Sequence, residues 1–159
     1  MTTNTSQSDP DAGQAASLAK YQDHARRAAE AWPANKAVLF DALARAGITS
    51  VIVNFDGYGD SGQIEQVEVR AGDATAELPA HQIEFVDPVL GDPQKVERST
   101  HTLSDAIETL VYAFLEQSHS GWEDNDGAYG DFTFDVGNRT ITLDYNERYT
   151  ESDYSCHTF

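Results

Sequence analysis

The stretch Asp131–Asp144, DFTFDVGNRTITLD, decides the fold of this chain of 159 residues. Apolar and polar residues alternate on both sides of Gly137 and Asn138, as in two antiparallel strands joined by a two-residue turn. Pairing across that turn makes one face apolar throughout and sets Asp131 directly against Asp144 on the other face. Like charges opposed across two strands destabilise a sheet, so the pattern indicates either a solvated edge that discourages aggregation or a bound cation or basic partner.

A second hairpin is predicted in the middle of the chain. Its strands alternate in the same way on either side of the glycine-rich loop Asp56–Gly62. A short third strand is predicted at residues 83–86, and the turn sequences Asp87-Pro88 and Asp92-Pro93 are expected to end it.

The clearest helical pattern lies between the two hairpins and predicts an amphipathic helix over residues 102–119. Thr102 followed three residues later by Asp105 imitates a capping box at its start. Its apolar stripe consists of Leu103, Ile107, Leu110, Val111, Phe114 and Leu115.

The remaining segments complete an α+β fold. Residues 1–13 are polar and predict a flexible tail. Residues 14–47 predict a helical arm, as two helices or one kinked at Pro33, with Gly47 as the left-handed residue after its end. Residues 48–159 form an acidic α+β domain, in which the two hairpins join into one antiparallel sheet and the amphipathic helix covers its apolar face.

The negative charge is confined to that second part of the chain. Residues 1–50 hold five acids and five bases, whereas residues 51–159 hold 22 acids against five bases and so account for the whole net charge of −17. Such a surface repels nucleic acid and anionic lipid and attracts basic surfaces. The chain has no signal-peptide pattern, no apolar run long enough to span a bilayer and only one cysteine, so we expect a cytoplasmic protein.

Acids and aromatic residues crowd the C-terminal third, a combination typical of surfaces that receive arginine and lysine. The sequence cannot show whether this acidic surface is functional or only solvated. We predict a partner-binding surface made of Trp122, Glu123, Asp124, Asp126, Tyr129, Asp131, Asp135, Asp144, Tyr145 and Glu147. The loop residues Asp56, Tyr58 and Asp60 are further candidates.

Calcium is the obvious cation for the acidic segment between Trp122 and Thr133, but the spacing of its acids does not match the ligand positions of an EF-hand loop. If Asp126 and Gly127 take the fifth and sixth loop positions, Trp122 and Thr133 fall at the first and twelfth, where acids are required. A non-standard site of Asp124, Asp126 and Asp131 stays open as a candidate. We expect no cofactor.

No catalytic constellation emerges from the sequence. The string Gly59–Gly62 is similar to the nucleophile turn of chymotrypsin-like proteases, but the chain is too short for that fold, and a hairpin turn explains it better. Cys156 and His157 are adjacent in sequence, so their side chains would point to opposite faces of an extended tail and could not act together as a catalytic dyad. We therefore favour binding over catalysis. A hydrolase using a carboxylate pair, Asp56 with Asp60 or Asp131 with Asp144, and an accessory subunit of a modification or conjugation system stay open as alternatives.

Two segments carry a family resemblance, FDGYGDSGQIEQVEV at 55–69 and GWEDNDGAYGDFTFDVGNRTITLDYNERY at 121–149. They resemble a bacterial family of unknown function that is common on plasmids and other mobile elements. No activity or catalytic residue comes with the resemblance. It implies a small accessory protein of mobile DNA, and such proteins are more often regulators or antagonists of host defence than metabolic enzymes.

These observations together predict an acidic protein that occupies the nucleic-acid site of a basic partner. Alternate outward residues of a strand lie about 6.6 Å apart, close to the distance between successive phosphates of one nucleic-acid strand. Carboxylates at that spacing would imitate a phosphate backbone. The sequence leaves the oligomeric state open.

Overall fold

The structure is a computed structural model that describes residues 10–159. Helix α1 spans Pro10–Arg45 and passes through Pro33 as a single helix. It begins inside the segment predicted to be a flexible tail, because proline is well tolerated in the first turn of a helix. The rest of that predicted tail, residues 1–9, lies outside the described residues.

Gly47 ends α1 as predicted, with a positive φ of 76°. The Ile48 amide donates to the Leu43 carbonyl and the Gly47 amide to the Ala44 carbonyl, each at 3.0 Å. This pair of bonds is the Schellman motif, which satisfies carbonyls that the helix leaves unpaired.

Seven strands and a second helix follow, and they confirm the predicted α+β fold. The strands are β1 Ser50–Tyr58, β2 Ser61–Ala71, β3 Ala74–Thr75, β4 Gln82–Val89, β5 Asp92–Thr102, β6 Ala128–Asp135 and β7 Thr140–Glu147. The helix, α2, spans Leu103–Ser118, and the Thr102 hydroxyl caps it by accepting from the Asp105 amide. Within the five-stranded sheet, ordered β3-β2-β1-β6-β7, the two predicted hairpins join through β1 and β6.

The hairpin β6–β7 has the predicted register but a wider turn. Phe134 pairs with Ile141, and Asp131 pairs with Asp144. Residues 136–139 lie outside both strands, and the positive φ, 55°, falls on Arg139 rather than on the glycine. The predicted two-residue turn is therefore wrong, because a four-residue loop built on hydrogen bonds to Asp135 replaces it.

The hairpin β1–β2 differs from its prediction in the opposite sense. Both strands run on through the predicted seven-residue loop, leaving only Gly59 and Asp60 between Tyr58 and Ser61. Gly59 has a φ of 71°, as the first central residue of a type II′ turn requires. One extra residue on β2 produces a bulge opposite Asn54.

Strands β4 and β5 form a separate two-stranded sheet, of which only part of β4 is predicted from the sequence. The predicted turn at Asp87-Pro88 lies inside β4, and the one at Asp92-Pro93 forms the start of β5, so the chain turns at Leu90 and Gly91 instead. Proline fits there because each strand of a two-stranded sheet is an edge, where an amide on the outer side needs no partner.

The chain divides into two compact units. The first contains residues up to Val38 together with Glu84–Thr100, and the second contains Leu39–Ile83 and His101–Phe159. The boundaries predicted from the sequence, after residues 13 and 47, stay a prediction. Within the described residues, no helix is both long enough and apolar enough to cross a bilayer.

The core of the second unit lies between the sheet and two helical segments. Its largest fully buried side chains include Phe55, Phe132 and Phe134 on the strands, and Leu103, Ile107, Leu110 and Leu115 on α2. The end of α1 contributes a second covering segment, since Leu39, Phe40 and Leu43 are buried and Phe40 lies 6.3 Å from the Phe134 ring. With its apolar side covered in this way, the sheet has one face left for other contacts.

Candidate functional site

Alternate side chains of β1, β2, β6 and β7 point away from the core, and we call the surface they make the outer face. The register places Gln66, Asn54, Asp131 and Asp144 side by side in one row across the four strands. Every member of this row is polar. This row of the outer face is therefore polar, and its two carboxylates lie on β6 and β7.

Asp131 and Asp144 are Cα partners across β6 and β7, as the sequence predicts. The Asn54 side chain on β1 donates a hydrogen bond from its Nδ2 atom to the Asp131 carboxylate, which is half-buried. Asp144 is exposed, and its strand β7 is an edge of the sheet. The pair therefore presents one tethered and one solvent-facing carboxylate at the open side of the sheet.

Asp56 also lies on the outer face, where it pairs with Arg148. The two guanidinium nitrogens donate to the two Asp56 carboxylate oxygens at 2.9 and 3.1 Å, and one of them also donates to the Gly57 carbonyl. The Arg148 guanidinium lies 4.5 Å from the centre of the Tyr129 ring. The hydrogen bond to Asp56 raises the pKa of Arg148. This cluster neutralises one predicted site carboxylate and places a cation over the exposed Tyr129 ring.

Asp135 has a structural role at the end of β6. Its carboxylate accepts hydrogen bonds from the Asn138 amide at 3.1 Å and from the Asn138 side chain at 2.9 Å. These bonds, together with one from the Gly137 amide, lower the pKa of Asp135. The ionised carboxylate thus holds the loop between β6 and β7 closed.

This arrangement makes the loop sensitive to acid. Because the pKa of Asp135 is lowered by folding, its contribution to stability is present above the unfolded value of about 4 and is lost as the pH falls through the lower folded value. We expect the free energy of unfolding of wild type to fall more steeply below about pH 5 than that of Asp135→Asn. Urea unfolding between pH 2.5 and 7 measures this, with Glu77→Gln as an exposed control. Parallel profiles for wild type and Asp135→Asn would contradict it.

Several predicted site residues lie in the loop between α2 and β6 or at the end of β7. Asp124 and Glu147 are exposed, and Asp126 accepts a hydrogen bond from the Thr150 hydroxyl at 2.7 Å. The Asn125 carbonyl accepts from the Gly59 amide at 3.0 Å, which fixes the loop against the β1–β2 turn and the exposed Tyr58. The acidic loop is therefore attached to the sheet by backbone and side-chain bonds.

The other predicted aromatics belong to the inner side of the sheet. Trp122 is only 7% exposed, and its ring meets Phe55 edge to face at a centroid distance of 5.5 Å. Tyr145 stacks on His119 with centroids 3.6 Å apart. Burial, followed by the charges of Glu147 and Glu123, raises the pKa of Tyr145. Trp122 and Tyr145 thus pack on the inner side of the sheet, away from the carboxylates of the outer face.

The structure does not bring together the three candidate metal ligands Asp124, Asp126 and Asp131. Asp126 bonds Thr150 and Asp131 bonds Asn54, while Asp124 lies exposed in the loop. Among the side chains that the structure describes, no group of three or more histidine, cysteine or acidic residues is arranged to hold a metal ion. Cys156 is exposed and free.

One family model matches most of the chain. A family of unknown function, DUF6878, matches residues 31–159, which include every strand and α2. The chain belongs to DUF6878. No curated protein and no solved structure matches it. Membership of DUF6878 confirms the coarser prediction that the chain belongs to a family of unknown function, and the match begins within α1.

Proposed function

We propose that this DUF6878 protein is a non-enzymatic acidic binding protein that occupies the nucleic-acid-binding surface of a basic protein. The opposed carboxylates Asp131 and Asp144 on the open outer face carry the proposal. Their mutual repulsion is an unfavourable term in the isolated protein, and a cationic partner surface relieves it.

The distribution of charge supports a basic partner. The second unit holds nineteen carboxylates against four arginines, a net charge of −15 out of the −17 of the whole chain. Three of those arginines already contact carboxylates, in the pairs Arg70–Glu68, Arg139–Asp41 and Arg148–Asp56. The unit therefore has a large excess of negative charge, which accelerates association with a positive surface and excludes nucleic acid itself.

The spacing along β6 supports imitation of a phosphate backbone only in part. Asp131 and Asp135 lie four residues apart on this strand, which corresponds to about 13 Å, with Thr133 at the outward position between them. The carboxylates thus occupy every second outward position of the strand. Asp144, opposite Asp131, adds a second column of charge.

The biological setting is part of the proposal. The resemblance to proteins of plasmids and other mobile elements suggests a regulator or an anti-defence inhibitor of the anti-CRISPR or anti-restriction type, acting in the bacterial cytoplasm. Defence nucleases and repressors have the positive, nucleic-acid-binding surfaces that an acidic protein blocks.

A displacement experiment tests the proposal. Bacterial proteins retained on immobilised double-stranded DNA are eluted with this protein, and the proteins released are identified and titrated against it from 50 to 300 mM salt. We expect release of a basic DNA-binding protein and steep weakening of binding with salt. The Asp131→Asn/Asp144→Asn variant should bind about tenfold more weakly, the equivalent of 1.4 kcal/mol.

A matched double variant separates the outer face from overall charge. Glu77→Gln/Glu151→Gln also removes two negative charges from exposed positions, and we expect it to bind nearly as well as wild type. Equal losses in both double variants would assign binding to net charge alone. Binding that DNA cannot displace and salt does not weaken would overturn the proposal.

A further inference from the structure

Strand β7 is an open edge of the five-stranded sheet. Among the described strands it pairs only with β6. Residues 151–159, all within the described part of the chain, are exposed and form no strand, so the segment after β7 does not pair with it. The opposite edge is partly covered, because the Ile64 amide of β2 donates to the Tyr112 hydroxyl at 3.1 Å and β3 pairs with the end of β2.

The hydrogen-bond pattern decides which backbone groups of β7 face outward. Opposed residues of an antiparallel pair alternate between those that exchange backbone hydrogen bonds and those that do not. The Arg148 amide donates to the Gly127 carbonyl directly opposite it, at 2.9 Å. Counting in steps of two from that bond makes Asp131 and Asp144 a hydrogen-bonded pair. The residues whose amide and carbonyl groups point away from β6 are therefore Ile141, Leu143 and Tyr145.

The side chains of β7 add a chemical requirement on each face. On the inner side Ile141 and Leu143 are only half-buried, whereas the two phenylalanines opposite them on β6 are at most 1% exposed. An apolar side chain added beside them would remove more apolar surface from water. On the outer face Asp144 is exposed and opposes Asp131, so a basic side chain beside it would offset the repulsion between the two carboxylates.

Charge decides between the possible occupants of this edge. Strand β7 contains no lysine, proline or bulge, which are common devices against unwanted pairing of an edge. A second copy would bring another unit with nineteen carboxylates and four arginines, a net charge of −15. The C-terminal segment of a second copy would likewise add Glu151 and Asp153. Repulsion therefore opposes pairing between copies, whereas a basic strand is attracted.

We infer that β7 accepts an extended segment of a basic protein as a sixth, antiparallel strand. The segment alternates apolar side chains, which lie beside Ile141 and Leu143, with lysine or arginine side chains on the outer face beside Asp144. Backbone hydrogen bonds supply affinity, and the side chains on the two faces supply specificity. The identity of the segment as part of the partner rests on the proposed function, whereas addition of a basic strand to β7 does not.

Hydrogen exchange of the free protein tests whether the edge is open. The amides of Thr142 and Asp144 donate to β6, so we expect them to exchange at least tenfold more slowly than those of Ile141, Leu143 and Tyr145. Equal protection of the two sets would mean that a second copy or another segment of the chain already pairs with β7. That result would overturn the inference.

A synthetic peptide in which lysine and valine alternate tests strand addition without any partner. We expect saturable binding with a Kd of about 1 mM or lower at 50 mM salt, measured from the NMR shifts of the outward amides. Residues that exchange hydrogen bonds across an antiparallel pair have their side chains on the same face. With valine on the inner side, the valine amides are therefore the ones that bond to β7.

N-methylation of the peptide separates backbone pairing from attraction between charges, since it removes a donor and keeps every charge. Methylation of the valine amides should abolish binding, whereas methylation of the lysine amides should change the Kd by less than about twofold. Equal effects of the two methylation patterns would overturn the inference.

Asp144→Asn tests the charge requirement, and we expect it to weaken peptide binding about fivefold. Glu77→Gln is the matched control, because Glu77 is exposed two residues after β3, at the other edge of the sheet. It should bind the peptide like wild type. Equal losses in the two variants would assign binding to net charge rather than to β7 and would overturn the inference.

The partner identified by DNA displacement separates this inference from the proposed function. If both hold, the lysine–valine peptide competes with the partner, and the peptide methylated on valine does not. If the peptide does not bind while the outer-face variant still loses the partner, strand addition is wrong and the proposed function stands. Strand addition of the peptide without any salt-sensitive, DNA-displaceable partner would support the edge site and contradict the proposed function.

Discussion

A Leu110→Asp variant should fail to fold. Leu110 is 2% exposed on the buried stripe of α2, so the substitution removes an apolar side chain from the core and places a carboxylate there without a partner. Each change destabilises the folded state, and together they should lower the free energy of unfolding by more than about 3 kcal/mol. That is a large fraction of the stability of an ordinary domain.

Circular dichroism and urea unfolding measure this effect, with Ser104→Asp as the matched control. Ser104 is exposed in the first turn of the same helix, where a negative charge interacts favourably with the helix dipole. We expect the control to be as stable as wild type or slightly more stable. A Leu110→Asp protein that unfolds cooperatively at wild-type urea concentrations would show that α2 does not cover the sheet.

The sequence predicts α2 and the β6–β7 register well because both depend on local periodicity. A stripe at helical spacing specifies which side of α2 is buried, and alternation specifies which residues of a hairpin share a face. A shift of one residue would bring Asp131 and Asp135 into the core, so only one register is compatible with the pattern.

Strand β5 escapes prediction because its own sequence, DPQKVERSTHT, lacks that periodicity. Val96 is 60% exposed, and the strand has little apolar surface to bury. Its partner β4 contains a proline, which normally indicates a turn. Both features fit a small two-stranded sheet, in which pairing of backbone groups matters more than burial.

The candidate site is predictable in composition but not in pairing. The sequence identifies Asp131 and Asp144 as opposed, because one hairpin contains both. It cannot identify the pair formed by Arg148 and Asp56, which lie 92 positions apart. Long-range pairing of this kind decides which acids keep their charge at the surface, so charge counting alone overstates the acidity of the outer face.

The structure also gives the glycines of the β1–β2 hairpin a different purpose from the turn chemistry expected of them. Gly57 and Gly62 are Cα partners, and a Cβ atom on Gly62 would lie 2.3 Å from the Trp122 ring. Only Gly59 has the positive φ of a turn residue in this hairpin. The two paired glycines instead make room for the indole, which is how a tryptophan predicted at the surface becomes buried.

Gly62→Ala should therefore destabilise the protein by about 2 kcal/mol, because the new methyl group must displace a packed indole. Gly137→Ala is the matched control, since a Cβ atom there meets nothing closer than 3.7 Å and its φ is not positive. It should change stability by less than about 0.5 kcal/mol. Urea unfolding compares the two variants, and Trp122 fluorescence in a Trp32→Phe background shows whether the indole has moved. If Gly62→Ala were as stable as its control, the packing of Trp122 would not depend on the absence of a side chain at this position.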